Sequence, residues 1–600
     1  MGCQSWIQRK KKEPFEKDLE RIREKMKDPD RPRLIGEVAV GAGLVVHRFN
    51  SIGLVSNLPG TGGIVRPSPQ REMIVDDLRR HDVPNPEEII DSPSTATATV
   101  RIFSNPCDER GDLLDVAVEN SIESMATDLR EGYLMPTYLR QFELQNGKNY
   151  SSNEKARATG DMVIVPASLM PDSKLDPLKG VIIGGANLME THKLSIRLGK
   201  EYRHVLVVTA MEKAINRRFF FKDSTKQKSV ATGKDDWQIE IQTVPKYKWD
   251  PAHYMSTLLS MGFHENEQEI AERVEGCRVL LRDRETARRA ACELEAIGND
   301  AAIDVLQAGL VSSDTEVRFY SAYSLAYMDR PESVGILKDI ARYEAAFRPL
   351  CLIGLAINEC RDARSALDEL LQEAEPELRY GAFCAIRHRD ARDPIVNGET
   401  IGEAFQFVQV PSQVPMVAVS LEKKKEIVLF GGNAGVELVK ELSPTPSLRM
   451  IPMSNGMVRL AKRHISGEIL QAAVSSDLVS IVRGMSSIEG NYNDIVHILD
   501  QLGSSKQISI PVAINPRPKV GRTYHRDSVG GDGNEPSSIE GDVLDVDRAS
   551  HAETKGGNAW WSLPAWMSGS KSKEDEMFES LISEVAPNQG DETKEVNEKE

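Results

Sequence analysis

The chain has 600 residues, 75 Lys plus Arg against 91 Asp plus Glu, and a net charge of −16. That length exceeds what one hydrophobic core supports, so three or more domains are expected. Between Asp527 and Glu600 lie 18 acidic and 6 basic residues, a net of −12, so the body is nearly balanced. A balanced body lacks the basic surface that phosphate contacts need, which excludes nucleic acid as a partner.

Seven cysteines, with no C-x-x-C and no His at zinc-finger spacing, give neither a disulfide framework nor a structural metal. Cys292, Cys351 and Cys384 sit among small apolar residues of predicted helices, as buried free thiols do. No run approaches the roughly 18 apolar residues of a membrane-spanning helix.

In chain order, Met1-Gly2-Cys3 runs almost directly into Arg9-Lys10-Lys11-Lys12, so no export signal is visible. Trp6 stands where a myristoylation pattern wants Ser or Thr. Gly2-Cys3 also matches the end of a lipoprotein cleavage site, making Cys3 a candidate lipid anchor; the alternative is a cytosolic chain with an incidental Cys. Glu13 to Arg33 reads as a solvated charged segment.

A glycine-rich run follows from Asn50 to Gly63. Thr95–Phe103 and Leu113–Glu119 alternate as half-buried strands do, with a turn at Arg110-Gly111-Asp112. Lys193–Leu198 and Trp237–Gln242 read as strands. Between them, Val208, Met211, Ile215 and Phe219 mark a helix over His204 to Phe219.

From 285 to 394 the pattern changes. Arg288, Arg318, Arg348 and Arg379 recur at intervals of 30, 30 and 31. Small residues follow three positions later, at Ala291, Ser321, Cys351 and Ala382. This is an internal repeat of helix pairs, similar to compact HEAT-like units, and such arrays bind proteins more often than they catalyse.

Strands resume at Met416–Leu421 and Ile427–Gly432. A helix is predicted after Asn491, with Ile495, Ile498, Leu499 and Leu502 on one stripe, followed by the strand Ile508–Ile514. Pro511 favours a sheet edge there. Beyond Pro516 the composition predicts a disordered acidic tail. Within it, Trp560, Trp561 and Trp566 form either a short docking motif or a strip that packs on the same protein.

Gly53-Leu54-Val55-Ser56-Asn57-Leu58-Pro59-Gly60-Thr61-Gly62-Gly63 resembles the G-L-V-x-G-L-x-G-T-G-D signature of the flagellar basal-body P-ring protein family. Pro59 stands where that family usually has Asn, and Gly63 where it has Asp. The paired strands from Thr97 to Val118, Tyr133–Leu139, the elements at 193–244, Ile427–Gly432 and Glu489–Leu502 resemble that family's later segments in order. The resemblance covers 33–262 and 396–515; the array and the tail have no counterpart in it.

It implies a homo-oligomeric periplasmic ring around the flagellar rod, at the peptidoglycan layer, supporting motility. Pro59-Gly-Thr-Gly-Gly63 lacks the G-K-[ST] of a phosphate loop, and no catalytic constellation is present among the His residues or carboxylates.

The expected architecture is therefore α+β: a charged segment (1–32), a P-ring-like α/β region (33–262), HEAT-like helical repeats (263–394), a C-terminal α/β region (395–516) and the tail (517–600). No enzyme activity, cofactor or metal is expected. The repeats await an unknown protein partner, and a membrane is reached only through Cys3. The alternative is a non-flagellar envelope scaffold, possibly a lipoprotein, acting through its repeats.

Overall fold

The computed structural model describes residues 31–522, apart from 81, 146–147, 171–173, 223–226 and 465, together with 20–22, 24–25, 524–525 and 536–537. The fold is α+β, as expected. Cys3 and the cluster of Trp560, Trp561 and Trp566 lie outside the described residues, as does most of the acidic tail.

The chain divides into two compact units, each built from separated stretches. One contains the residues up to Val45 with Lys193–Ala366. The other contains Val46–His192 with Leu367–Val520.

In the first unit, the strands Ala39–Ala42, Leu194–Leu198, Gln238–Ile241 and Ala231–Gly233 form an antiparallel sheet in that order. The helix Val205–Arg218 packs on it through Val207, Val208, Met211 and Ile215. Gly233 lets it come close, since a Cβ there would press on Val208.

A run of α-helices begins at Glu267–Leu280 and continues through Arg284–Ile297, Asp300–Gly309, Thr315–Tyr327, Glu332–Tyr343, Arg348–Ile357 and Arg361–Leu370. Asn266, Asp283, Asn299 and Asp314 open the first four, each side chain accepting from a backbone N–H of the first turn. These caps satisfy donors that a helix leaves unpaired. Gly298, at φ +64°, ends the second helix in the left-handed conformation that glycine adopts without a Cβ clash.

In the second unit, six antiparallel strands form a closed circuit: His47–Ser56, Ala96–Ser104, Leu113–Asn120, Lys179–Leu188, Lys148–Asp161 and Tyr133–Gln145. Val163–Ile164 adds a short strand to Lys179–Leu188. The alternation read at Thr95–Phe103 serves this barrel-like sheet, whose core includes Ala98, Val100, Ile102, Val116, Val118 and Ile182.

A second sheet runs Glu399–Ile401, Phe405–Val410, Glu426–Phe430, Met416–Val419, Val512–Ile514. Its last strand follows Pro511 and lies at the edge, where a missing donor costs no ladder bond. A third sheet joins Leu448–Pro452, Met457–Arg463 and Ile469–Ser475. The helices Pro376–Arg389, Leu478–Gly484 and Tyr492–Ser504 complete the unit. Val163, Val181 and Ile183 share one core with Phe407, Val417, Leu429, Ile495 and Leu499.

Candidate functional site

The glycine-rich run is a tight backbone seam. The N–H groups of Leu58, Gly62 and Gly63 donate to the carbonyls of Ser94, Pro93 and Thr95, at 3.0, 2.8 and 3.1 Å. On its other side, Thr127 N–H donates to Thr61 O at 2.9 Å, and Thr61 Oγ1 donates to Asp128 O at 2.6 Å. A Cβ on Gly62 would collide with the Thr95 carbonyl oxygen, and one on Gly63 would sit 3.0 Å from Met125 backbone. A phosphate cradle needs free N–H donors, and here they are spent on carbonyls. Positive φ falls at Asn57 (64°) and Gly60 (85°). Gly62 and Gly63 instead let backbone approach backbone within one chain.

Three hydrogen bonds tie the barrel-like sheet to the C-terminal stretch. Asp115 accepts from Gly184 N–H at 2.8 Å and from Lys423 N–H at 2.8 Å. Gly184, at φ +60°, lies where the register of Leu113–Asn120 against Lys179–Leu188 shifts. Asn493 Oδ1 accepts from Ile164 N–H at 3.0 Å, and Glu131 from Ser447 N–H at 3.2 Å. Asp494 is fully buried and receives Lys462 Nζ at 2.8 Å, Thr445 Oγ1 at 3.2 Å and the Asn491 N–H at 3.0 Å. Asn491 and Asp494 form the capping box whose first half the sequence predicts.

Three of the four recurring arginines have a shared task. Arg318 Nη1 donates to Ser312 O and Ser313 O at 2.8 and 3.0 Å. Arg348 Nε reaches Ala341 O at 3.0 Å. Arg379 reaches Glu373 O and Ala374 O at 2.8 and 2.9 Å, and also Val414 O at 2.7 Å. Each guanidinium satisfies carbonyls at or just after the end of the preceding helix, where the helix dipole favours a cation.

A nucleophile–imidazole–carboxylate order does occur in the first unit. Cys292 Sγ lies 3.8 Å from His253 Nδ1, and His253 Nε2 lies 2.8 Å from Glu295 Oε2. Glu295 also accepts from Tyr247 OH at 2.7 Å and Thr257 Oγ1 at 3.3 Å. Burial pulls the His253 pKa down, but Glu295 and Cys292 together more than offset this and hold the imidazole well above its ordinary range. All three members are buried, with rings of Tyr247 and Tyr327 stacked on His253. The cluster therefore seats an ion pair where the helix Pro251–Leu259 meets Arg284–Ile297. Asp250 takes Tyr323 OH at 2.9 Å, and Lys246 pairs with Asp329 at 2.6 Å, extending the same seam. Nothing in the spacing of these residues announced the cluster; only helix packing assembles it.

Three further histidines sit in structural settings. His204 caps the helix Val205–Arg218, its Nδ1 accepting from Leu206 N–H at 3.1 Å. His192 lies against His47, ring centroids 4.2 Å apart. His264, at φ 59°, follows Phe263. Cys292, Cys351 and Cys384 are buried and free. Among the described residues, no three His, Cys, Asp or Glu side chains gather to hold a metal ion. No described helix is long and apolar enough to cross a membrane.

Backbone seams, buried ion pairs and arginine-closed helix ends hold the strands and helices of these regions together. Residues 35–274 match the model of the flagellar P-ring protein family, FlgI, so that stretch is similar to a P-ring protein. The match takes in the glycine-rich seam, both strands of the Arg110-Gly111-Asp112 hairpin and the Val205–Arg218 helix, and it ends inside the first helix of the array. No curated protein sequence matches the chain. The family is one of structural, periplasmic components of the flagellar basal body.

Proposed function

We propose that this chain is a subunit of a P-ring-like assembly around the flagellar rod, a passive bushing that supports motility at the peptidoglycan layer. The family match over 35–274 carries this reading. Stretches 33–262 and 395–516 build the ring body, and subunits side by side form a heterologous interface whose rotation closes. The HEAT-like repeats of 263–394 are an added docking surface for a protein partner. They are seated on the family region through the Glu295 cluster. Cys3 is the candidate lipid anchor that would hold the assembly near the outer membrane, and Trp560, Trp561 and Trp566 the candidate docking motif of the tail.

The test is to purify hook–basal bodies from the native cell and quantify this chain by mass spectrometry. Ring-like abundance beside the rod proteins, with lost motility on deletion, supports the reading. Clean absence with the chain abundant elsewhere in the envelope overturns it in favour of an envelope scaffold. The length of the helical run beyond residue 274 is what favours that second reading.

A further inference from the structure

Among the described residues, the edges of the sheets of three or more strands are blunted, with one exception. The barrel-like sheet closes through Leu113–Asn120 and Lys179–Leu188. Glu399–Ile401 and Ala231–Gly233 are three residues long, and Ala39–Ala42 four. Val512–Ile514 follows Pro511, and Leu448–Pro452 carries Arg449 and ends in proline. Short strands, charges and prolines are the usual protections of an edge.

Ile469–Ser475 has none of them. It is seven residues long, reads Ile-Leu-Gln-Ala-Ala-Val-Ser, bears no charge, and among the described residues pairs only with Met457–Arg463. Its side chains alternate exposed and half-buried along the whole length, with Ile469 55% exposed.

The ladder register says which backbone groups are open. His464 N–H donates to Glu468 O at 2.8 Å, and Ser476 N–H donates to Gly456 O at 3.2 Å. Hydrogen-bonded pairs recur every second residue in an antiparallel ladder. Leu470, Ala472 and Val474 therefore spend their N–H and C=O on the neighbouring strand, while Ile469, Gln471 and Ala473 turn theirs outward, as does Ser475, whose carbonyl already accepts from Asp477 N–H at 2.8 Å.

We propose that this edge pairs with the same edge of a second copy of the chain, antiparallel about a two-fold axis at Ala472. That register sets Ile469 opposite Ser475 and Gln471 opposite Ala473; with the Ser475 carbonyls held by Asp477, about six inter-chain hydrogen bonds form. Leu470 then faces Val474, and Ala472 meets its copy as a non-hydrogen-bonded pair with Cα atoms about 4.5 Å apart. No charge opposes another within the seven residues. The contact is isologous, so it joins two subunits without closing a ring. It goes beyond the ring reading and does not depend on it.

The full chain carrying Ala472→Cys is oxidised beside the wild type, and the cross-linked peptide is read by mass spectrometry. Most of the variant is expected as a dimer linked at position 472, because that Cα separation suits a disulfide. Sedimentation velocity on Ala473→Pro is the second measurement. It removes an outward N–H and no ladder bond, and it should weaken dimerisation by about tenfold or more. Ala473→Lys, which puts a charge on the exposed edge, should do the same if proline disturbs folding. Cross-linking no greater than in the wild type, or sedimentation of both edge variants unchanged from it, overturns the proposal. Presence or absence in basal bodies bears on the ring reading alone, so the two can fail separately.

Discussion

The helices from Glu267 to Arg389 and the sheets of the second unit solve the same problem over different distances. In the array, Arg318, Arg348 and Arg379 each bond to carbonyls between five and seven residues back, and Arg379 alone of the three is also seen reaching Val414 O, 35 residues on. In the sheets, Asp115 bonds across 308 residues, Ser447 to Glu131 across 316 and Asn493 to Ile164 across 329. A local contact can be lost with damage confined to its own turn. A contact that closes a 300-residue loop is part of what brings two chain segments into one core, and its loss is shared by the whole unit.

The sharpest test of that difference is Asp494→Ala. The carboxylate is fully buried, and its removal leaves Lys462, itself only 8% exposed, without its countercharge. Breaking a buried pair on one side costs about 3–5 kcal/mol. Chemical denaturation should show that loss, and hydrogen exchange should show lowered protection in the barrel-like strands as well as in Tyr492–Ser504. Protection lost in that helix alone would break the comparison.

Acid should reach the same unit. His497 lies in that helix with Arg130, Asp128, Asp494 and Asp500 about it. Burial pushes its pKa down to about 4, and Arg130 adds to this, while the three carboxylates pull the other way. The unfolded chain binds this proton below about pH 6.5 and the folded chain only near 4, so stability falls as pH drops between them. At 1.36 kcal/mol per pKa unit the loss is about 3 kcal/mol. His497→Gln should flatten the denaturation midpoint across that window, and an unchanged pH profile would exclude His497 as its source.

Gly62→Ala comes next, at about 2 kcal/mol, because the seam must open to admit a Cβ against Thr95. Thermal unfolding reads it, with Gly60→Ala as contrast. Gly60 has open space for a Cβ and pays only for its φ of +85°.

How much of this was legible in the sequence follows the same division. The helical run was legible because Arg288, Arg318, Arg348 and Arg379 recur at intervals of 30, 30 and 31 in the sequence itself, and helices lie over those positions. Asn491 and the Ile495, Ile498, Leu499, Leu502 stripe are local as well, and the helix lies where they place it. Closure of the barrel by Leu113–Asn120 on Lys179–Leu188 depends on a pairing no window contains. The helix Pro69–Arg80 escaped because only Ile74 and Val75 are buried in a mostly polar run. Ile469–Ser475 escaped because its alternation separates exposed from half-buried residues, apolar ones on both faces, with no polar period to mark it. Gly62 and Gly63 were legible as glycines that matter. Their reason, carbonyls of Pro93 and Thr95 pressed against Gly62 and the Met125 backbone against Gly63, depended on loops about 30 and 60 residues away.

The smallest effect belongs to the array and completes the contrast. Arg318 is half-buried, and its fork holds Ser312 O, Ser313 O and the Thr315 hydroxyl, the last at 2.9 Å. In Arg318→Ala, water can reach those partly exposed acceptors, so the cost is that of hydrogen bonds exchanged with solvent, about 1 kcal/mol. Asp314 still caps the helix Thr315–Tyr327 through the Glu316 and Val317 N–H groups, which keeps the helix start in place. Exchange should therefore quicken between residues 310 and 320 and leave the amides of the barrel-like strands as they were. Protection lost across His47–Ser56 in this variant would mean that the array and the sheets unfold as one cooperative body. The short reach of the arginines would then say nothing about how damage spreads.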